Sequence, residues 1–331
     1  MWFEKLVGFK EDNPDQVRAN ISIEGNKLIS KVNSEEFTFG ELKVSSLEDL
    51  RNQAPALDKY KSKISVSEEV GDVQVFHQDK ANNGALFQAA SQFNLLEMVG
   101  PQITPEYGVG IYENDRTQGP ACAIACGAGT IYRNYFAEVN GQIGQSAHNQ
   151  IDCLDEIGKE LGNDKQALWE MKNGYVLANS EGLQNISRQI KGKSHQEFEN
   201  LKGKLKIGIQ WNSQVTIGNT SNNVTQAYCS ALPVAYSHAS SEHWESFARL
   251  ILEATYEATF YAGLLNYEKT GYNRVFLTLV GGGAFGNEPE WITNAIVKTI
   301  HEFSNTPLDI RIVSYGQSSS IVSALVNCIT G

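Results

Sequence analysis

The stretch Val280-Gly281-Gly282-Gly283-Ala284-Phe285-Gly286-Asn287 constrains this chain more than any other. Before it lies the apolar run Val275–Val280, with the length and composition of a buried strand. After it come Glu288, Pro289 and Glu290, then apolar side chains at Ile292, Ile296, Ile300 and Phe303. That spacing describes one face of a helix, and Pro289 suits its first turn. The local reading is strand, glycine turn, helix. Glycines let backbone amides approach a ligand, and a helix N-terminus adds free N–H groups and partial positive charge. Such a unit is suited to phosphate. The pattern is not G-x-G-x-x-G and has no Lys-Ser/Thr pair, so a phosphate here would be held by backbone amides alone. The plain alternative is a tight turn that binds nothing.

Length and charge narrow the class. The 331 residues make one large domain or two small ones. With 41% hydrophobic and 20% charged residues, the chain reads as an ordinary soluble globular protein. No apolar run approaches the ~18–20 residues of a membrane span. Met1–Leu6 shows no basic region leading into an apolar core, so no leader peptide and no membrane partner are expected. Five cysteines, an odd number, fit free thiols in a reducing compartment. The expected location is cytoplasmic, or that of a secreted effector acting in a cytosol. The net charge of −11 argues against a general nucleic-acid binder, but leaves room for a local diphosphate pocket and for a basic protein partner.

In chain order, residues 1–61 read as a small β-rich appendage. Ile21–Ser30 alternates around Glu24-Gly25-Asn26 and predicts a hairpin, Phe37–Phe39 adds a strand, and Ser46 caps a short helix. From residue 62 the texture is α/β. Lys63–Ser67 and Val73–Phe76 read as strands, the second running into Asp79. Ala85–Ser91 reads as a buried strand that opens onto polar Gln92, Asn94 and Glu97. An amide-rich run after a buried strand is where an open α/β sheet places its binding site. Residues 108–120 bring Glu113, Asp115 and Gln118 together, and a helix is expected after Gly119-Pro120. Cys122 and Cys126 share one face of that helix and read as apolar packing. Residues 137–205 read as a helical, lid-like insertion. Strands follow at Lys206–Trp211, Gln214–Ile217 and Gln226–Tyr236, then a long helix from Trp244 to Leu265. The last strand is Asp309–Tyr315, before a closing helix. The order predicts an α/β sandwich with a mixed sheet.

Several of these stretches resemble the macrodomain family, the ADP-ribose-binding fold. The likeness is carried by helix Ala258–Ala262, strand Val275–Val280, the loop Gly281–Gly286, helix Pro289–Phe303 and strand Ile310–Ser314. Asp79 resembles the family's adenine-binding aspartate. Phe87–Ser91 is similar to a stretch that in the family reads close to V-N-A-A-N, with the asparagines replaced here. Tyr112–Ala121, Phe87–Asn94 and Gln226–Tyr236 resemble a divergent branch, the MavL-type effector hydrolases that remove ADP-ribose from ubiquitin. The likeness covers about residues 62–331. It implies a three-layer α/β/α sandwich, with the appendage and the 137–205 insertion added.

It also implies a site. The diphosphate lies over Gly281, Gly282, Gly283, Ala284, Phe285, Gly286 and Asn287, with Phe285 against the distal ribose. Asp79 accepts from the adenine and Tyr315 stacks on it, while Gln88, Ser91 and Asn94 contribute polar contacts. The implied reaction is loss of mono-ADP-ribose from a protein side chain by water attack at C1 of the distal ribose, through an oxocarbenium-like state. Arginine is one candidate linkage and ubiquitin one candidate partner. Asp115 is the first catalytic candidate and Glu113 the second, since residues two apart on a strand-like segment share a face. Gln118 holds ribose or water. The scheme requires no cofactor; magnesium between Glu113 and Asp115 is compatible with it. The plain reading of Asp115 and Arg116 is a surface turn. Two further functions stay open. One is an ADP-ribose reader without turnover; the other is a nicotinamide-dependent oxidoreductase, disfavoured by a glycine loop so late in the chain.

Overall fold

Seven strands build the central sheet of the computed structural model, which describes residues 1–331. They are β1 (Glu41–Ser46), β2 (Ser65–Val70), β3 (Leu86–Ala90), β4 (Lys206–Gln214), β5 (Asn223–Cys229), β6 (Arg274–Leu277) and β7 (Asp309–Ser314). Their order across the sheet is β1-β4-β5-β3-β6-β7-β2. The run β5, β3, β6, β7, β2 is parallel throughout. Strand β4 is antiparallel to both its neighbours, which makes the sheet mixed as expected.

Alternation along β3 and β5 shows both faces covered. Phe87 stacks on His77 at 3.7 Å and on Phe276 at 4.4 Å, under the helix Val73–Gln78. The next residue, Gln88, points the other way and donates to Thr259 on the helix Ser241–Thr270 at 2.8 Å. Gln226 reaches His77, while its neighbour Thr225 donates to Asn266 of the long helix. With both faces buried, β3 does not alternate apolar with exposed polar side chains, and its one polar residue, Gln88, is buried and hydrogen-bonded. The long helix buries Trp244, Phe247, Leu250, Ile251, Ala254 and Ala258 and ends at Gly271, whose left-handed φ of 79° closes the last turn.

The first 61 residues form the expected hairpin and capped helix, with a Ser46–Asp49 capping box. Yet the division at residue 61 does not coincide with a break in the sheet. β1 is its edge strand, and Phe3, Val17 and Leu50 share one core cluster with the strands behind them. Residues 137–205 are likewise tied in. The helix Ser180–Lys191 packs on the long helix, and Leu183 and Ile186 join the same core. A buried ion cluster links three segments. Arg51 meets Glu257 and Glu199, each at 2.6 Å, and Lys202 meets Glu257 at 2.8 Å and Glu199 at 2.9 Å. Lys202 and Glu257 are its buried pair, and removing either typically costs about 3–5 kcal/mol, because a buried charge is left uncompensated.

Three strand expectations are corrected. Val73–Phe76 is not a strand but part of the helix Val73–Gln78. Asp72 caps its N-terminus by accepting from Gln74 N–H, and Val73 and His77, four apart, are its buried face. Gln214–Ile217 is no separate strand, since β4 runs to Gln214 with a register shift between Gln210 and Ser213. The strand expected over Gln226–Tyr236 ends at Cys229 and gives way to a loop with a 3-10 turn at Val234–Tyr236. No helix is long and apolar enough to cross a membrane.

Candidate active site

The C-terminal ends of β2, β3, β5, β6 and β7 open into one cleft of about 790 Å³. Ligand sites of open α/β sheets form at this end, where successive strands hand the chain to opposite faces. Each strand delivers its exit loop to the cleft: Asp72 after β2, Ser91 and Gln92 after β3, Ala231 after β5, the glycine loop after β6, and Tyr315 after β7.

The glycine loop is held by its own backbone. Gly282 N–H donates to Leu279, Gly286 N–H to Gly283, and Asn287 N–H to Gly281. Gly281 and Gly286 have φ of 77° and 67°, which a side chain would strain. A Cβ on Gly281 would also come within 2.5 Å of the Ala231 Cβ. The folded-in turn leaves the amides of Gly281, Gly283, Ala284 and Phe285 without an acceptor in the protein. A row of such amides suits an anion such as a diphosphate. Gly283 faces open space, so the loop approaches the cleft with bare backbone. Gly281, Gly283, Ala284 and Phe285 line the cleft; Gly282 and Gly286 only shape the turn. Asn287 is a brace and not a ligand contact. It is 3% exposed, and its Nδ2 donates to Leu232 at 2.8 Å and to Gly281 at 3.3 Å.

Opposite this loop the cleft is acidic. Asp115 lines it, with Oδ1 accepting Thr117 N–H at 2.8 Å and Oδ2 making no bond. Beside it is Glu97, which is 3% exposed. Burial drives the Glu97 carboxyl well above its usual range, against the pull of Arg133 and with the push of Asp115. Oε1 has no partner in the protein. The turn that presents Glu97 is strained, because Leu95, fully buried, sits at φ 65°. Gln92 closes the turn by accepting Met98 N–H at 2.8 Å. Beneath, Arg133 is fully buried, stacked 3.5 Å over Tyr228, with no carboxylate within ion-pair distance. Gln118 starts the helix Gln118–Ala125 at the cleft wall, and its buried Nε2 has no partner. Arg116 is the one basic side chain among the lining residues.

Aromatics complete the walls. Tyr315 is 74% exposed at the rim, with an accessible ring face. Phe285 packs on Tyr175 at 5.4 Å and Tyr236 at 5.8 Å. Tyr175 comes from the hairpin Trp169–Ala178 in the insertion, and its hydroxyl donates to Met98.

Several sequence expectations are corrected. Asp79 does not reach the cleft. It caps a turn by accepting Ala81 N–H, and the acidic residue at a strand end in the cleft is Asp72. Gln88 is fully buried away from the cleft, bonded to Thr259 and accepting Thr278 N–H, so it anchors the base of the glycine loop instead. Asn94 is also fully buried. It donates to Gln150 and accepts Leu96 N–H, which ties the Gln92–Glu97 turn to the insertion. Glu113 lines the cleft, but its segment Gly110–Asn114 is a 3-10 helix and not strand-like, and its Oε2 accepts Trp2 N–H. A magnesium donor set is not assembled. Glu113 and Asp115 each give an oxygen to a backbone N–H, and no group of three or more His, Cys, Asp or Glu gathers. Cys122 and Cys126 are fully buried, and burial pushes the Cys126 thiol up to about 12. Sequence reasoning missed Asp72, Tyr175, Tyr236 and Trp2 as lining residues, and passed over Glu97 as one of a polar set. Its only signal was a lone charge inside Leu95-Leu96-Glu97-Met98.

No protein-family model matches the chain, and no curated protein matches it. Among solved structures it is similar to a poly(ADP-ribose) glycohydrolase from Thermomonospora curvata bound to the inhibitor ADP-HPD. That match has 8% identity over 95% of each chain and a TM-score of 0.46. Another structure of the T. curvata enzyme gives 9% identity over 95% of each chain and 0.47. The poly(ADP-ribose) glycohydrolase of Deinococcus radiodurans, in complex with ADP-ribose, gives 8% identity, 87% of this chain, 93% of that one, and 0.46. Similarity of this depth identifies neither activity nor ligand.

Proposed function

We propose that this chain is a macrodomain-like glycohydrolase that binds ADP-ribose in the cleft and releases it from a modified protein. One observation carries the reading. A row of unpaired loop amides, an exposed rim tyrosine and a buried carboxyl group beside a second carboxylate all face one cavity of about 790 Å³. The amides of Gly281 and Gly283–Phe285 take the diphosphate. Tyr315 stacks on the adenine, and Asp72 stands where its amino group would donate.

Chemistry falls to Glu97 and Asp115. A carboxyl group raised in pKa by burial can act as acid while a carboxylate beside it stabilises charge in the same site. Glu97, kept protonated by burial, gives its proton to the departing side-chain heteroatom as the C1 bond breaks. Asp115 stabilises positive charge at C1 and takes a proton from the attacking water, whose oxygen becomes the new C1 hydroxyl. Gln118 offers its free Nε2 to the ribose or the water. A reader module needs no buried acid beside a carboxylate, since the acid adds nothing to diphosphate binding and the carboxylate opposes it.

The finer likeness to MavL-type hydrolases suggests mono-ADP-ribosylated protein as substrate, with arginine-linked ADP-ribose and ubiquitin among the candidates. We place the activity in a cytosol, where the five free cysteines stay reduced. Calorimetric titration with ADP-ribose, NAD and ADP tests the pocket, and selective ADP-ribose binding is expected. Hydrolysis assays then compare wild type with Asp115→Ala, which should bind ADP-ribose but turn over ~10²–10⁴-fold more slowly. Binding with no hydrolysis of any linkage would leave a reader.

A further inference from the structure

The loop that carries Asp115 pairs with no strand; buried Tyr112 pins it by accepting Glu97 N–H, and the first residues of the chain hold the backbone on either side of that anchor. Glu11 projects into the loop. Its Oε1 accepts Val109 N–H at 2.9 Å and Tyr135 O–H at 2.7 Å, and its Oε2 accepts Gly110 N–H at 2.6 Å. The loop is shaped around this carboxylate. A Cβ on Gly108 would stand 2.5 Å from the Glu11 carboxyl carbon, and one on Gly110 would stand 2.7 Å from Oε2. Gly108 also takes a φ of 85°, which lets the chain turn there. A second tie lies further along the loop. Trp2 donates its backbone N–H to Glu113 at 2.9 Å and its indole N–H to Val109 at 3.2 Å, and its ring lies against Gly127. Residues 1–11 therefore grip the segment 108–113 at both ends, two residues short of Asp115.

We propose that Glu11 is a positioning residue for Asp115, and that residues 1–11 are a strap belonging to the catalytic apparatus; this rests on the glycohydrolase reading above. Glu113, on the same grounds, acts through Trp2 and not on the substrate. The physical reason is the exposure of the segment 113–117. The Asp115 side chain makes one bond, to Thr117 N–H, and its backbone N–H donates to Tyr112 at 3.1 Å, so its position follows the backbone before it. A carboxylate that accepts two consecutive amides fixes that backbone in a way that water does not, because charge-assisted bonds are roughly twice as strong as neutral ones.

Glu11→Ala and Glu11→Gln test it in the full chain. Amide hydrogen exchange, read without any ligand, should speed up at Val109 and Gly110 in Glu11→Ala while the core strands stay protected. Unchanged exchange there would overturn the strap whatever the substrate is. On an ADP-ribosylated protein, Glu11→Ala should lower kcat about 10²-fold, the cost of misplacing a reacting group by about 1 Å. ADP-ribose affinity should hold, because the glycine loop and Tyr315 are untouched. Glu11→Gln, which keeps one acceptor oxygen, should lose less. Combined with Asp115→Ala, the Glu11 change should cost nothing further. Equal losses of kcat and of ADP-ribose affinity would mark a merely structural residue and overturn the assignment. Loss of ADP-ribose binding by wild type would instead sink the glycohydrolase reading, with the exchange result still deciding the strap.

Discussion

Gly119 abuts Glu97 so closely that a Cβ on Gly119 would stand 2.6 Å from Glu97 Oε2, and the same Cβ would overlap the Ala90 carbonyl. The helix Gln118–Ala125 thus starts directly on the end of β3, and the acid lies against its first turn. Gly119→Ala has no soft neighbour to displace. It should cost about 1–3 kcal/mol of stability, the usual range for overpacking. It should also remove turnover by pushing Glu97 from its seat. Thermal melting beside a hydrolysis assay checks both, and an unchanged melting temperature would contradict the close approach.

Glu97 makes stability depend on pH in a fixed direction. Its folded-state acidity is weakened by burial, so the folded protein holds this proton more tightly than the unfolded chain does. The favourable contribution is complete below the unfolded value near 4.5 and is lost as pH rises through the raised folded value. Glu97→Gln should therefore flatten the loss of stability on the alkaline side. As general acid, Glu97 should also set the alkaline limb of the rate profile, and the glutamine variant should be ~10²–10⁴-fold slower without that limb. A rate profile with the same limb in Glu97→Gln would remove Glu97 from the acid role.

Asn287 braces the glycine loop through Leu232 and Gly281. Asn287→Ala deletes both bonds, while the Leu232 carbonyl keeps Val234 N–H and the Asn287 N–H keeps Gly281. A loss of about 1–3 kcal/mol is expected for two hydrogen bonds removed at roughly 0.5–1.5 kcal/mol each. ADP-ribose affinity should fall because the four amides are no longer held in a row. Titration calorimetry reads this, and unaltered affinity would detach the brace from the ligand site.

Tyr315, 74% exposed, supports nothing in the core. Tyr315→Ala should leave stability within about 0.5 kcal/mol. It should weaken ADP-ribose by about 1–3 kcal/mol, the range for stacking of a base on an aromatic side chain. ADP-ribose and ribose 5-phosphate titrated side by side isolate the adenine contribution; equal losses for both would place the tyrosine elsewhere.

Much of the fold was legible because its signals are local. The run Val275–Leu277, the turn at Gly281–Gly286 and the helix from Pro289 each follow from a few neighbouring residues. The Val73–Gln78 segment misled because six residues are too few to separate a period of two from one of 3.6. Its outcome was decided by the Asp72 cap and by the burial of His77 under Phe87.

The site divides the same way. Sequence by itself determined the glycine loop, the tyrosine at the end of the last strand and the candidacy of Asp115, since backbone freedom and residue type belong to the chain locally. Only the tertiary structure decided that Glu97 is a buried acid, that Gln88, Asn94 and Asn287 are braces, and that Asp72 and not Asp79 reaches the cleft. Those roles depend on how far a polar group is removed from water and on which distant segment meets it. The sheet order sets both, as when Glu11 crosses 98 residues of sequence to reach Val109.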